Sequence, residues 1–219
     1  MNSEQSTITE LMNRQEPLCD ELTAHLQKGR LGCEGIYHPL VHEPLYSPVL
    51  NAMYNAQLSH KKLAVERAKD FENWSQFVFL HERPYRLDAF DEVHMLMPSV
   101  DYWKLLSEVW VDSENIWQQQ SSWLLFLTNR IGSSSRFMSK EERTYLKSLP
   151  DEFPIYRGCS YFNEEGISWT LNPEKARWFA ERFSKSGGKV IKKVVKRKDC
   201  FAYLSRRNED EIVYFKHFM

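Results

Sequence analysis

The sequence has few cysteines, and none is paired by spacing. Cys19, Cys33, Cys159 and Cys200 are scattered along 219 residues, with no Cys-x-x-Cys and no histidine at zinc spacing. That excludes a disulfide framework and favours reduced thiols in a cytoplasmic setting. Long apolar runs are also missing. The longest, Trp-Leu-Leu-Phe-Leu at 123–127, is far too short to span a bilayer, so no membrane partner is expected. The opening MNSEQSTITEL lacks a basic start followed by an apolar stretch, so no secretory signal is expected. No internal repeat or low-complexity tract occurs. The net charge is only −1, which argues against a dedicated nucleic-acid binder.

What is present is apolar and aromatic. The chain is 42% hydrophobic and 14% aromatic with seven Trp, which excludes disorder and predicts a tightly packed interior. The small net charge hides an asymmetry. Residues 151–219 carry 14 Lys and Arg against 10 Asp and Glu, whereas residues 1–150 carry 15 against 20. A modest positive field at the C-terminal end suits a phosphate-bearing ligand.

The texture changes near Pro150. Before it the pattern is mainly helical. Ser47-Pro48 opens a helix expected to run to about Phe71. Residues 113–129 place Ile116, Gln120, Trp123, Leu124 and Leu127 on one helical stripe. Ser139 and Glu142 form a capping box for a helix ending near Leu149-Pro150. The Gly- and Pro-rich stretch 29–48 reads as a long irregular connector, and 129–136 as a loop. His38 and His42 have ligand-like spacing. Pro39 and Pro44 rule against a regular helix there, only Glu43 accompanies them, and no metal is expected.

After Pro150, strands are expected at 153–158, 166–170, 189–196, 200–204 and 211–215. One helix starts at Asn172-Pro173, striped by Ala176, Phe179, Ala180 and Phe183 and closed by Gly187-Gly188. The order β-β-α-β-β-β predicts an α+β unit with little room for parallel crossovers. The basic run at 189–198 reads as an edge strand whose lysines discourage aggregation, in preference to a nucleic-acid contact.

Chemistry gathers in this second part. Arg157 closes a strand before Gly158, where a missing side chain would let a ligand approach the backbone, and its planar fork suits phosphate or carboxylate. Ser168 and Thr170 flank Trp169, so two hydroxyls share one face and the indole turns to the other. Glu209 and Glu211 stand at the mouth of a strand. On a regular strand they would share a face roughly 7 Å apart and would call for a cation between them.

Together, Arg157-Gly158, Ser168-Trp169-Thr170 before an Ala/Phe-striped helix, and Glu209-x-Glu211 resemble the mono-ADP-ribosyltransferase family. The likeness is to compact bacterial and phage members and covers roughly residues 140–219. It implies an α+β architecture in which a helical N-terminal region, 1–139, packs with a small split β-sheet catalytic core, 140–219. It implies an enzyme with NAD as co-substrate, no metal, and a macromolecular acceptor, most readily an arginine of a protein and less readily a nucleic acid.

By the resemblance, Glu211 bonds the ribose as positive charge develops there, and Arg157 holds the diphosphate. Ser168 orients Glu211, Thr170 braces the strand or touches the nicotinamide side, and Gly158 presents backbone groups to the carboxamide. Glu209 grips an acceptor guanidinium and takes its proton. Arg206, Arg207 and Asn208 lie in the turn where the family recognises acceptors. Trp169, Tyr161 and Phe162 are candidate walls for nicotinamide. With water as acceptor the same site would be an NAD glycohydrolase. A catalytically silent module that blocks a partner protein is the rival of another class. The resemblance leaves the biological setting open among effector, toxin and counter-defence protein.

Overall fold

A computed structural model describes residues 14–29, 32–129, 131–182 and 187–215. The chain divides into two compact units, Met1–Met97 and Pro98–Met219.

The first unit opens with a short helix α1 (Asp20–Thr23) and three short strands, β1 (Leu26–Lys28), β2 (Glu34–His38) and β3 (Val41–Glu43). They pair antiparallel in the order β1-β2-β3. The stretch 29–48 is therefore a small sheet where an irregular connector was expected. Its strands are only three to five residues long, so turn residues dominate the local composition and mask the pairing. Gly35 is required by packing, because a Cβ there would lie 2.9 Å from the Glu43 carbonyl across the sheet.

Helices then follow as expected. Pro48 begins a 3-10 turn that runs into α2 (Asn51–Asp70), and α3 (Trp74–Leu80) and α4 (Arg86–Val93) complete the unit. Leu58, Phe77, Val78, Leu87 and Phe90 form much of its interior.

In the second unit, α5 (Ser99–Asp112), α6 (Gln120–Leu127) and α7 (Lys140–Ser148) precede the sheet. The division expected at 139/140 falls inside this unit, because α5 and α6 supply one wall of its core. The capping box is formed, with Ser139 Oγ accepting from the Glu142 N–H and Glu142 accepting from the Ser139 N–H. The sheet is antiparallel throughout, in the order β6-β4-β5-β8-β7. Its strands are β4 (Glu152–Cys159), β5 (Ser168–Thr170), β6 (Lys189–Lys196), β7 (Cys200–Leu204) and β8 (Glu211–Tyr214). The helix α8 (Pro173–Glu181) connects β5 to β6, capped by Asn172 through the Glu174 and Lys175 N–H groups. Residue 183, expected on its stripe, lies outside the described residues. The α+β class and the strand order agree with the sequence pattern, and β6 is an edge strand.

Strand alternation divides the sheet between two cores. Phe153, Ile155, Trp169, Val195, Tyr203 and Ile212 fill one face with Leu146 of α7. Ala202, Val213 and Glu211 turn to the other face, toward the aromatic cluster of Trp103, Trp110, Trp123 and Phe137. A bulge between Cys200 and Ala202 gives β7 an extra residue, and Phe201 joins that cluster against Phe137 with ring centroids 5.4 Å apart.

Candidate functional site

The site is built where three strand ends meet. β5 and β8 pair with Thr170 opposite Glu211 and Ser168 opposite Val213, so these four side chains face the same way. The register brings the Ser168 hydroxyl to the Glu211 carboxylate, with Oγ donating to Oε1 at 2.5 Å. Glu211 is 3% exposed, and a buried carboxylate needs more than one donor. Trp110 Nε1 donates to Oε2 at 3.2 Å, and so does Arg207 Nη2 at 3.2 Å. Three donors on one buried carboxylate fix its position.

Glu209 is not on the strand. Asn208 and Asp210 both have left-handed backbone, with φ of 54° and 46°, and this breaks the alternation that would have aligned the two acids. Tyr203 Oη donates to Asp210 Oδ1 at 2.9 Å and so anchors the turn. Thr170 Oγ1 donates to the Glu209 carbonyl and accepts from the Asn172 N–H at 3.0 Å. Thr170 therefore braces the turn and the start of α8. Burial raises the pKa of Glu209 above the usual carboxylate value. Arg207 opposes that rise most strongly, and the neighbouring Glu211 charge adds to it.

The cation between the acids comes from the chain itself. Arg207 Nε lies 3.4 Å from Glu209 Oε2, an ion-pair contact without hydrogen-bond geometry. Its Nη2 reaches Glu211, and its Nη1 donates to the Ser113 carbonyl at 2.7 Å. Arg206 is also engaged, with Nε 3.4 Å from Glu142 Oε1 and Nη2 bonded to Ser107 Oγ. Glu142 in turn accepts from the Ser205 N–H at 3.0 Å. The turn at 205–210 is thus tied to α5 and α7.

Arg157 sits at the other side of β5. Its Nε and Nη2 donate to the Asn163 carbonyl at 3.2 and 3.0 Å, and its Nη1 donates to the Ser168 carbonyl. The guanidinium lies across Gly166, where a Cβ would come within 2.0 Å of Nη2. Burial lowers the pKa of Arg157 from its ordinary value, and the Cys159 and Glu211 charges oppose that shift. Two of its five donors hold Asn163 in the β4–β5 loop and a third holds Ser168 on β5, which leaves two without a partner among the described residues. Asn163 helps to set that loop, since its Oδ1 accepts from the Ser160 N–H at 2.8 Å.

Two expected site residues have other work. Gly158 faces α8, and a Cβ there would stand 2.0 Å from the Ala176 carbonyl and 2.5 Å from the Ala180 nitrogen. Its missing side chain admits a helix and not a ligand. Trp169 is 7% exposed and lies in the core on the face opposite Ser168, because neighbouring residues of a strand alternate. It cannot wall a pocket beside Glu211. Tyr161 and Phe162 remain exposed at 77% and 41%, and Phe162 packs beside Trp117 with centroids 5.2 Å apart.

Sequence reasoning missed Trp110 and gave Arg207 no part as counter-ion to both acids. Trp110 is 101 residues from Glu211, so no local spacing signals it. Arg207 was legible only as a basic residue in the turn. His38 pairs with Glu21 at 3.3 Å, while His42 packs edge-on to Tyr37. Among the described residues no three His, Cys, Asp or Glu side chains gather as metal ligands. Among them, too, no helix is long and apolar enough to cross a membrane. Compared with protein-family models, with curated proteins and with solved structures, the chain has no match.

Proposed function

We propose that this protein is a mono-ADP-ribosyltransferase that moves ADP-ribose from NAD to an arginine of an acceptor protein. The observation that carries the reading is the Glu211 carboxylate, buried, oriented by Ser168 and sharing one guanidinium with Glu209. A carboxylate held in this way is preorganised for a positive centre, and the donors that fix it need not reorganise as charge develops. That the acid pair already holds Arg207 supports a guanidinium as the group it takes.

The residues fit NAD in part. Arg157 has two donors to spare for the diphosphate. Tyr161 and Phe162 offer exposed rings near the loop that Arg157 holds. Gly158 and Trp169 are withdrawn from the set.

In this reading the glycosidic bond to nicotinamide breaks, and its electron pair leaves with nicotinamide. Glu211 stabilises the positive charge left on the ribose. An acceptor Nη forms the new bond to the sugar carbon, and Glu209 takes the proton that the guanidinium loses. Before that, Arg207 gives up its contact with the two acids, since acceptor and Arg207 compete for the same oxygens.

The test is incubation with labelled NAD and a protein mixture, reading labelled protein and free nicotinamide in parallel. Wild type is expected to give both, Glu211→Gln neither, and Glu209→Gln nicotinamide without labelled protein. Brisk nicotinamide release without labelling by the wild type replaces the transferase with an NAD glycohydrolase. Absence of NAD binding leaves a silent interaction module.

A further inference from the structure

Two adjoining cavities lie outside the Glu211 site, and no residue of that site lines either. The larger lies by Cys200 at the start of β7, whereas Leu204 at its other end is the residue opposite Glu211. The four steps between correspond to roughly 13 Å of strand. The larger cavity, about 570 Å³, has an apolar floor of Met138, Leu146 and Phe201. Around it stand Lys147, Lys196 and Lys198. Of the two acids at its edge, Asp151 is neutralised by Arg197 at 2.6 Å, which leaves Glu152. The smaller cavity, about 440 Å³, is lined by Lys104, Arg136 and Arg143 with no acid, and it shares Ser135 and Met138 with the larger.

Among the described residues, Lys104, Arg136, Lys147, Lys196 and Lys198 form no ion pair. Like charges gathered without counter-ions repel one another, and an anion lying over them relieves that repulsion. Arg143 donates to the Ser135 and Met138 carbonyls at 2.9 and 2.5 Å, and so fixes the ridge between the two cavities.

We propose that the joined cavities bind single-stranded nucleic acid, one unstacked base entering the larger cavity and neighbouring phosphates lying on the smaller. The apolar floor favours a single strand over a duplex, whose bases are stacked away from such a pocket. The second, acid-free lobe extends the positive surface beyond the reach of one mononucleotide. Neither cavity shares a lining residue with the Glu211 site, and the proposal does not depend on any activity there.

The test uses the full chain and a fluorescein-labelled single-stranded RNA octamer, followed by anisotropy. Binding in the micromolar range that weakens steeply with salt is expected. The double variant Lys104→Glu/Arg136→Glu and the single variant Lys198→Glu are each expected to weaken it about tenfold or more. All three side chains are exposed, so the fold tolerates these changes. Lys192→Glu, a single charge reversal on β6 away from both cavities, is expected to stay within about twofold. No binding at tens of micromolar, a duplex bound as tightly as the single strand, or an equal loss in Lys192→Glu would each overturn the proposal.

Discussion

Glu211 allows the structural and the chemical roles of one carboxylate to be separated by comparing two substitutions. Its oxygens accept from Ser168, Trp110 and Arg207. In Glu211→Gln the amide nitrogen can turn toward Ser168, whose hydroxyl rotates to accept, while the remaining oxygen still faces Trp110 and Arg207. Every polar atom keeps a partner, and Arg207 retains Glu209. The expected cost is the charge assistance alone, about 1 kcal/mol. In Glu211→Ala three donors lose their acceptor and Arg207 loses one carboxylate in a buried setting. Breaking such a pair costs about 3–5 kcal/mol.

Urea unfolding of the ligand-free protein, followed by Trp fluorescence, is therefore expected to place Glu211→Gln near the wild type. Glu211→Ala is expected about 2 kcal/mol or more below Glu211→Gln. Nicotinamide release is expected to fall in both variants by far more than tenfold, a factor that corresponds to only about 1.4 kcal/mol. Equal stability of the two variants would refute the three-donor account. A Gln variant that kept more than about a tenth of wild-type turnover would refute the electrostatic role.

Three further outcomes follow from the same geometry. Gly158→Ala drives a methyl into the α8 backbone and is expected to cost about 3 kcal/mol in the same unfolding assay; a cost below about 0.5 kcal/mol would return Gly158 to ligand binding. Arg157→Lys cannot reproduce the fork onto Asn163 and Ser168, so a loss of about 1.5–3 kcal/mol is expected, with weaker NAD binding by calorimetry. Unchanged affinity would confine Arg157 to holding the loop. For pH, burial raises Glu209 above the usual glutamate value, so the native state binds this proton more tightly than the unfolded chain. The associated stability is present at low pH and is lost as pH rises through the native value. Labelling is expected to do the reverse, gaining its base in that window. Its acid limb should lie above the usual ~4.3 and move higher in Arg207→Ala; an unmoved limb there would show that another group titrates.

Much of the second unit was legible because its signals are local. Asn172-Pro173, Ser139 with Glu142, and the β-branched run 189–196 each specify an element through backbone chemistry within a few residues. The small sheet at 26–43 was not legible, because glycine and proline there serve packing and tight turns between strands too short to show a period. The compact units divide at 97/98 and not at the 139/140 step where the motifs begin, for a related reason. Motifs mark chemistry, whereas a compact unit is set by which apolar faces cover each other.

At the candidate site the amino-acid order by itself determined the cast. It supplied Arg157, the Ser168 and Thr170 pair with the intervening indole turned away, and two acids beside a strand. Strand alternation alone sends Trp169 and Ser168 to opposite faces. Only the tertiary structure decided the partners. It placed Trp110 and Ser168 on one carboxylate, closed the acid pair with Arg207, and filled the space beside Gly158 with helix α8. It also gave Glu142 a second duty, since the oxygen left over from its capping box holds the turn that carries Glu209. The physical reason is range. Backbone preferences act over a few residues, whereas a buried charge must find its donors wherever the fold brings them, here from 43 and 101 residues away along the chain.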